Sequence, residues 1–397
     1  MTTSNSRKTL NVYYHDDVYE DPTSTSMFVK RLSYELAKFL NVTLFVYSDV
    51  QHVRRETTLG VPLYRVPRPR IPIFRLIRVN PFLTRVYNSL VAFSPKLYLF
   101  SKKIVDANYI LCVDTFCGFT ISLLAKVEGK PLIFRPNDSL LSFGLQLMAQ
   151  RSRILGILMV AYGALVEFVV SRLSDLILAS SRKIMYLFQS YYGVRGKICV
   201  CHIGTEARKS GKNRVDVRKE LGIPQGDLVV LFLGAGDWLP NQLAIEYIQK
   251  TLAPFLAAEK SEVLLMIVGR GTERFRNSIT TNNLVIVGEV PDISPYLEAA
   301  DLGIAPMPVM GGQSSKVIDY LCAGLPVVAT NEVAGTVEPQ VGLFVSDIEH
   351  FHIAVSRLLK EETNLNMAER ITSESLKHYS WNAIGVQTAK RILALEV

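Results

Sequence analysis

Residues 311–330, GGQSSKVIDYLCAGLPVVAT, hold the side chains best placed to do chemistry. A Gly-Gly-Gln-Ser-Ser loop runs into a stretch of helical apolar period, which predicts a helix starting near Ser314 or Ser315. The first turn of a helix has N–H groups without intrahelical partners and the positive end of the dipole, so such a start is a ready phosphate site. Lys316 lies in that first turn, where a cation is unfavourable unless an anion is near. Asp319, three residues on, shares its helical face, so both can reach one ligand, and a short carboxylate there suits the hydroxyls of a ribose. The plainer alternative is a Ser-capped helix with a surface Lys–Asp pair.

Two more strand-end loops point the same way. LFLGAGDWLPN puts Gly234 and Gly236 after a strand, where backbone can approach a ligand closely. IVGEVPD offers Gly288, Glu289 and Val290, whose backbone groups can cradle a base. Three loops on one domain predict one nucleotide, bound by Gly234, Gly236, Glu289, Val290, Ser314, Ser315, Lys316 and Asp319. In the first half, Asp114 ends the strand YILCVD and Arg135 lies in PLIFRPND, ahead of Asp138. His15 and Asp16 end the first strand and, with Arg135, are further polar candidates. Asp138 also reads as a turn or cap residue, and His15 as a surface imidazole. His202 falls at the seam between the halves. The histidines and cysteines show no zinc spacing and no Asp-x-Asp motif is present, so neither a metal nor a cofactor is expected.

The elements that must position these groups alternate strand-like apolar runs with helix-length amphipathic ones, which predicts an α/β fold with parallel sheets. Strands are expected at 10–15, 42–48, 109–114, 131–136 and 176–180, and again at 228–234, 263–269, 284–290, 302–307 and 326–330, with a helix from about Ser26 to Leu40. Polar residues 203–224 form the seam. The division expected is a membrane-surface domain over 1–203, a nucleotide-binding domain over 204–378, and a C-terminal helix over 379–397 packing back towards the first domain. Two doubly wound Rossmann-like domains then face a cleft, with ligands at the strand carboxyl ends.

With 397 residues, 49% hydrophobic and 20% charged, the chain can build two cores, which excludes a disordered or low-complexity protein. Its five cysteines read as reduced thiols, and the N-terminus lacks the apolar core of a signal peptide, so a cytoplasmic protein is expected. Residues 1–200 carry 26 Lys and Arg against 13 Asp and Glu, +13, whereas 201–397 carry 18 against 23, −5. In the basic stretch Arg65, Arg68, Arg70, Arg75, Arg78 and Arg85 alternate with aliphatic residues, a pattern suited to an anionic membrane surface and not to nucleic acid. Residues 154–170, ILGILMVAYGALVEFVV, carry one charge, Glu167, and predict a buried or interfacial helix instead of a spanning one.

The lines FLGAGDWLPNQLAIEYI, VGEVPDISPYLEAADLGIAPM and SSKVIDYLCAGLPVVAT resemble the nucleotide-sugar domain of GT-B glycosyltransferases, in particular the family-4-like group, over about 225–345. The resemblance implies that Lys316 meets the diphosphate and Asp319 the ribose, beside Gly236, Glu289 and Ser315. Two positions depart from it: Gly311 stands where many retaining members have a Glu, and Asp237, Trp238 and Asn241 replace a basic pair. Residues 109–144 resemble the acceptor domain of the membrane-associated glucuronosyltransferase of xanthan assembly, which implies a general base at Asp138; Asp114, at its strand end, is the second candidate, and the GT-B resemblance puts His15 and Asp16, with Arg135, on the acceptor side. The function this implies is metal-independent transfer of a sugar from a nucleotide sugar, a UDP-sugar and in particular UDP-glucuronate, to a lipid-linked saccharide or polyprenyl carrier. The enzyme would be peripheral on the inner face of the cell membrane. An epimerase or phosphorylase on the same fold, and a non-catalytic membrane adaptor, are the alternatives.

Overall fold

The computed structural model describes residues 7–19, 24–69, 94–137, 139–141, 144–145, 148, 153–205, 214–259, 262–279, 281–310, 312–361 and 365–395. The chain divides into two compact units, Met1–Ile203 with Trp381–Val397, and Gly204–Ser380. In chain order the first contains β1 (Thr9–Tyr14), α1 (Ser24–Ala37), β2 (Asn41–Ser48), β3 (Arg54–Thr58), β4 (Val61–Pro67), α2 (Lys96–Lys102), β5 (Tyr109–Val113), α3 (Thr115–Val127), β6 (Leu132–Arg135), α4 (Arg153–Leu173), β7 (Leu176–Ala179), α5 (Arg182–Tyr192) and β8 (Ile198–Val200). Its strands lie in the order β3-β4-β2-β1-β5-β6-β7-β8. The pairings are parallel except in the β3–β4 hairpin. Burial is nearly continuous along β1, β2, β5, β6 and β7, because helices cover both faces of a parallel sheet.

The β3–β4 hairpin departs in part from the expectation of a basic surface over 51–103: Arg54 and Arg55 are exposed on β3, but two arginines of the other limb are not. Leu59 and Gly60 make its two-residue turn with φ of 49° and 82°, the handedness that such turns require. Here Arg65 and Arg68 do not face outward. Arg65 is 8% exposed and lies 2.6 Å from Asp17, while Arg68 pairs with Asp16 and lies 3.6 Å from Asp49. Their alternation with apolar residues is that of a strand whose guanidinium groups meet carboxylates at the end of β1. Arg70, Arg75, Arg78 and Arg85 lie outside the described residues.

The second unit runs α6 (Arg214–Glu220), β9 (Leu228–Leu233), α7 (Leu239–Tyr247) with a π-helical turn (Ile248–Leu252), α8 (Ala253–Ala258), β10 (Val263–Val268), a 3₁₀ turn (Glu273–Ser278), β11 (Leu284–Gly288), α9 (Ser294–Ala299), β12 (Leu302–Ala305), α10 (Ser315–Cys322), β13 (Val327–Thr330), α11 (Asn331–Ala334), β14 (Leu343–Ser346), α12 (Phe351–Lys360) and α13 (Leu365–Tyr379). Its strands lie in the order β11-β10-β9-β12-β13-β14, all parallel. The polar seam includes α6. Arg218 of α6 is buried, 2.6 Å from Asp301, and donates to the carbonyls of Ala299, Gln225 and Asp227. The last helix, α14 (Trp381–Leu393), belongs to the first unit. Its Trp381, Ile384, Ala389 and Ile392 share a core with Phe28, Leu32 and Leu36 of α1. Gly385 lets the two helices touch, since a Cβ there would collide with Glu35.

Candidate functional site

In the second unit the strand order reverses between β9 and β12, and ligands of open α/β sheets sit outside the strand carboxyl ends at such a point. Helix α10 is fixed beneath it by Tyr320. The phenol accepts the N–H of Leu233 at 2.7 Å, at the end of β9. The ring lies against Gly303 of β12, where a Cβ would come within 2.5 Å of it. One turn earlier on the helix is Lys316. Its ammonium donates to Asn241 Oδ1 at 2.6 Å, lies 3.4 Å from Met307 Sδ and sits 4.6 Å from the centre of the Phe232 ring.

Lys316 is 8% exposed, and burial pushes its ammonium down to about 7. Among the described residues no carboxylate pairs with it. Asp319 turns elsewhere and accepts from Thr205 Oγ1 at 2.8 Å. The alternative of a surface Lys–Asp pair is therefore excluded by geometry: the lysine is buried and bonded to an amide. Ser314, buried and at the N-cap, donates its N–H to Thr336 Oγ1 at 3.2 Å. Among the described residues its hydroxyl caps nothing and has no hydrogen-bond partner. A helix start, an unpartnered hydroxyl beside it and a buried cation without an acid thus come together at one point of the sheet. That combination can hold an anion.

The nearest cause of the glycines in the β9 loop is packing of protein on protein. A Cβ on Gly234 would lie 2.8 Å from Asn241 Cγ, and one on Gly236 would run into the carbonyl of Gly271. The loop is thereby drawn against Asn241, which donates to Ala235 O at 2.8 Å and so turns its Oδ1 to Lys316. Sequence reasoning noted Asn241 only as a replacement; a polar residue in the first turn of a helix that follows a Gly-x-Gly loop was the available signal. It missed Arg270 and Arg274 altogether. Arg274 donates to Gly236 O, and Arg270 lies 3.3 Å from Asp237. Both bring positive charge to the loop from the β10 side, where no element had been examined for it. Glu289 is exposed, with its N–H on Glu273 Oε1 at 2.7 Å, and Val290 packs on the core. Ser315 opens α10, and Gly311 lies outside the described residues.

The first unit reverses its strand order between β1 and β5. His15 follows β1, buried, and that burial lowers its pKa so that the imidazole is neutral at physiological pH. Asp114 follows β5 with φ 75° and ψ 150°, a region a non-glycine residue enters at a cost of about 1–3 kcal/mol. Asn137 Nδ2 donates to Asp114 Oδ2 at 3.3 Å, and its Oδ1 accepts from Arg135 at 2.7 Å. Arg135 is fully buried, donates to Cys201 O at 3.3 Å and lies 4.0 Å from the Phe28 ring centre. Asp16 is engaged by Arg68, so it is a partner of the hairpin as well as a strand-end residue. Asp138 lies outside the described residues. His202 is buried at the end of the first unit. Among the described residues no cluster of three His, Cys, Asp or Glu could hold a metal ion.

Two tandem doubly wound units, with an anion-ready helix start at the second reversal, define the GT-B class. The chain is a glycosyltransferase of that fold. Residues 227–361, from β9 into α12, match the family of Glycosyl transferases group 1. No sequence among curated proteins matches the chain. Among solved structures, sucrose-phosphate synthase from Thermosynechococcus elongatus superposes with a TM-score of 0.74 at 16% identity over 98% of each chain. WaaG, a glycosyltransferase of lipopolysaccharide biosynthesis, gives 0.67 at 14% over 97% of this chain and 100% of its own. Anabaena HepE in complex with UDP and glucose gives 0.66 at 15% over 98% and 100%. At these identities the likeness is one of fold.

Proposed function

We propose that the chain transfers a sugar from a UDP-sugar to a lipid-linked saccharide or polyprenyl carrier at the cytoplasmic face of a membrane, as a peripheral protein. The observation that carries the donor half is Lys316: a buried cation that, among the described residues, meets an amide, a thioether and a ring and no acid, at the start of α10. Holding such a charge without an acid costs free energy that a bound diphosphate returns. UDP as the nucleotide is supported by its presence with HepE, a neighbour in fold. UDP-glucuronate is favoured by the resemblance of residues 109–144 to the xanthan enzymes.

In the reaction the acceptor hydroxyl oxygen forms a bond to the anomeric carbon as the bond to the diphosphate oxygen breaks. The hydroxyl proton passes to a carboxylate of the first unit, Asp138 by resemblance or Asp114 by position, with His15 and Arg135 on the acceptor side. The electron pair leaves on UDP, whose growing charge is met by Lys316 and the first turn of α10, with the Ser314 hydroxyl donating. Asp319 exchanges Thr205 for the ribose hydroxyls. No metal enters this scheme. The test is calorimetric binding of UDP in the presence of EDTA, to the parent protein and to Lys316→Ala. Binding by the parent and its loss in the variant is the expected result; equal binding by both sinks the donor assignment.

A further inference from the structure

Helix α4 (Arg153–Leu173) turns one face into the protein and leaves the other bare. On the inner side Val166 and Val170 are in the core, and Gly163 meets residues 140–141 so closely that a Cβ would come within 2.7 Å of Leu140 Cβ. Glu167, the only acid on the helix, is also turned inward: Ser139 Oγ at 3.1 Å, Leu140 N at 2.5 Å and Tyr192 OH at 2.6 Å all donate to it. On the outer side Ile154, Ile157, Leu158, Leu165 and Phe168 are 44–73% exposed. The spacing from 154 through 158, 165 and 168 is that of one helical stripe.

Gly156–Leu173 is long and apolar enough to cross a membrane, with a mean hydropathy of 1.7. A helix with one face in a protein core and a buried, hydrogen-bonded carboxylate on it cannot do so without unfolding the unit. The bare stripe can, however, lie flat. Its charges choose what it lies on: Arg153 and Arg172 are exposed at the two ends and Arg182 at the start of α5, with no acid of α4 on the outer face. Arg172 also lies 5.3 Å from the Phe168 ring, so a guanidinium head stands beside an apolar anchor. A second copy packed antiparallel on this stripe would bring Arg153 of one chain towards Arg172 of the other, a repulsion that lipid phosphates turn into attraction.

We infer that the outer face of α4 is the membrane-contact surface of the protein, seated in the headgroup layer of an anionic bilayer with its Arg residues on lipid phosphates. The inference rests on the proposed lipid-linked acceptor only for its purpose. Its test does not need that acceptor.

The full chain is floated with vesicles of equal parts phosphatidylglycerol and phosphatidylcholine, and with phosphatidylcholine alone. Binding to the anionic vesicles, weakened by salt, is expected. Leu158→Glu/Leu165→Glu should lower it at least about tenfold, since two exposed leucines lose their lipid burial. Arg153→Glu/Arg172→Glu, which leaves the apolar stripe intact, should lower it on anionic vesicles alone and stands in should the first pair fail to fold. Both pairs keep the thermal shift with UDP. Absence of binding by the parent, or parent-like binding by both pairs, overturns the inference. So does a loss of binding that coincides with dissociation of a dimer in light scattering, which would make the stripe a contact between copies. Vesicle binding without a UDP shift would instead remove the donor reading and leave this one standing.

Discussion

The two sheets reverse their strand order alike, yet Arg65 and Arg68 of the first unit and Lys316 of the second are held in opposite ways. At the first reversal Arg65 is matched by Asp17 and Glu56, and Arg68 by Asp16 and Asp49. At the second, Lys316 is buried to the same degree as Arg65 and, among the described residues, meets only neutral groups. A matched buried pair stabilises geometry and has nothing left for a ligand. An unmatched cation is a cost to the empty protein and becomes favourable when an anion arrives. The comparison assigns structure to the first set of charges and binding to the second.

The largest effect tests that assignment directly. Lys316→Met should lower transfer by about 10²–10³-fold, while raising the stability of the ligand-free protein by about 1–2 kcal/mol as an unpaired buried charge disappears. Activity with UDP-sugar and urea unfolding of the same preparation measure both. A variant that is destabilised and still active breaks the comparison. Asp17→Ala should do the reverse. Removing one partner of a buried pair costs about 3–5 kcal/mol, so unfolding should shift markedly, with UDP binding by the second unit retained.

The pH dependence is smaller and sharper. Lys316 titrates at about 7 in the folded protein and at an ordinary lysine's 10.5 when unfolded. Between those values the unfolded chain holds the extra proton, so the stability of the ligand-free protein rises with pH across that window, and below about 7 the full penalty is present. A bound diphosphate raises the lysine's pKa, so binding above pH 7 should take up a proton, approaching one near pH 8.5. Calorimetry in buffers of different ionisation heat reads that number. Uptake that persists in Lys316→Arg would assign the proton to another group.

Much of this was legible beforehand. The parallel strands stood out because chains buried on both faces write unbroken apolar runs, as LVVLFLG and VLLMIVG do. The start of α10 was visible as a lysine out of place in a first helical turn. The environment of that lysine was not, because Asn241, Met307 and Phe232 come from three separate segments that only the fold assembles. The β3–β4 hairpin escaped because its turn puts Leu59, not the usual Asn or Gly, at positive φ. Arg65 and Arg68 were misassigned to the surface for a related reason: alternation of Arg with apolar residues is shared by an interfacial segment and a strand with a salt-bridged face, and Asp16 and Asp17 are some fifty residues away in sequence.

The smallest effect concerns Asp114. The backbone at φ 75° and ψ 150° is strained for any residue with a Cβ and open to glycine. Its side chain accepts a long hydrogen bond from Asn137, at 3.3 Å. Asp114→Gly should therefore gain about 1 kcal/mol over Asp114→Ala, which keeps the strain and loses the same side-chain interactions. Equal unfolding of the two variants would show that the surrounding structure does not hold this backbone under strain. If the carboxylate takes the acceptor proton, both variants lose turnover and keep UDP binding, a pattern that strain relief alone cannot produce. Asp138→Asn in parallel decides between the two carboxylates: the one whose loss lowers turnover without altering UDP affinity is the base, and a stored strain at Asp114 without that loss would confine it to orienting the Asn137–Arg135 pair.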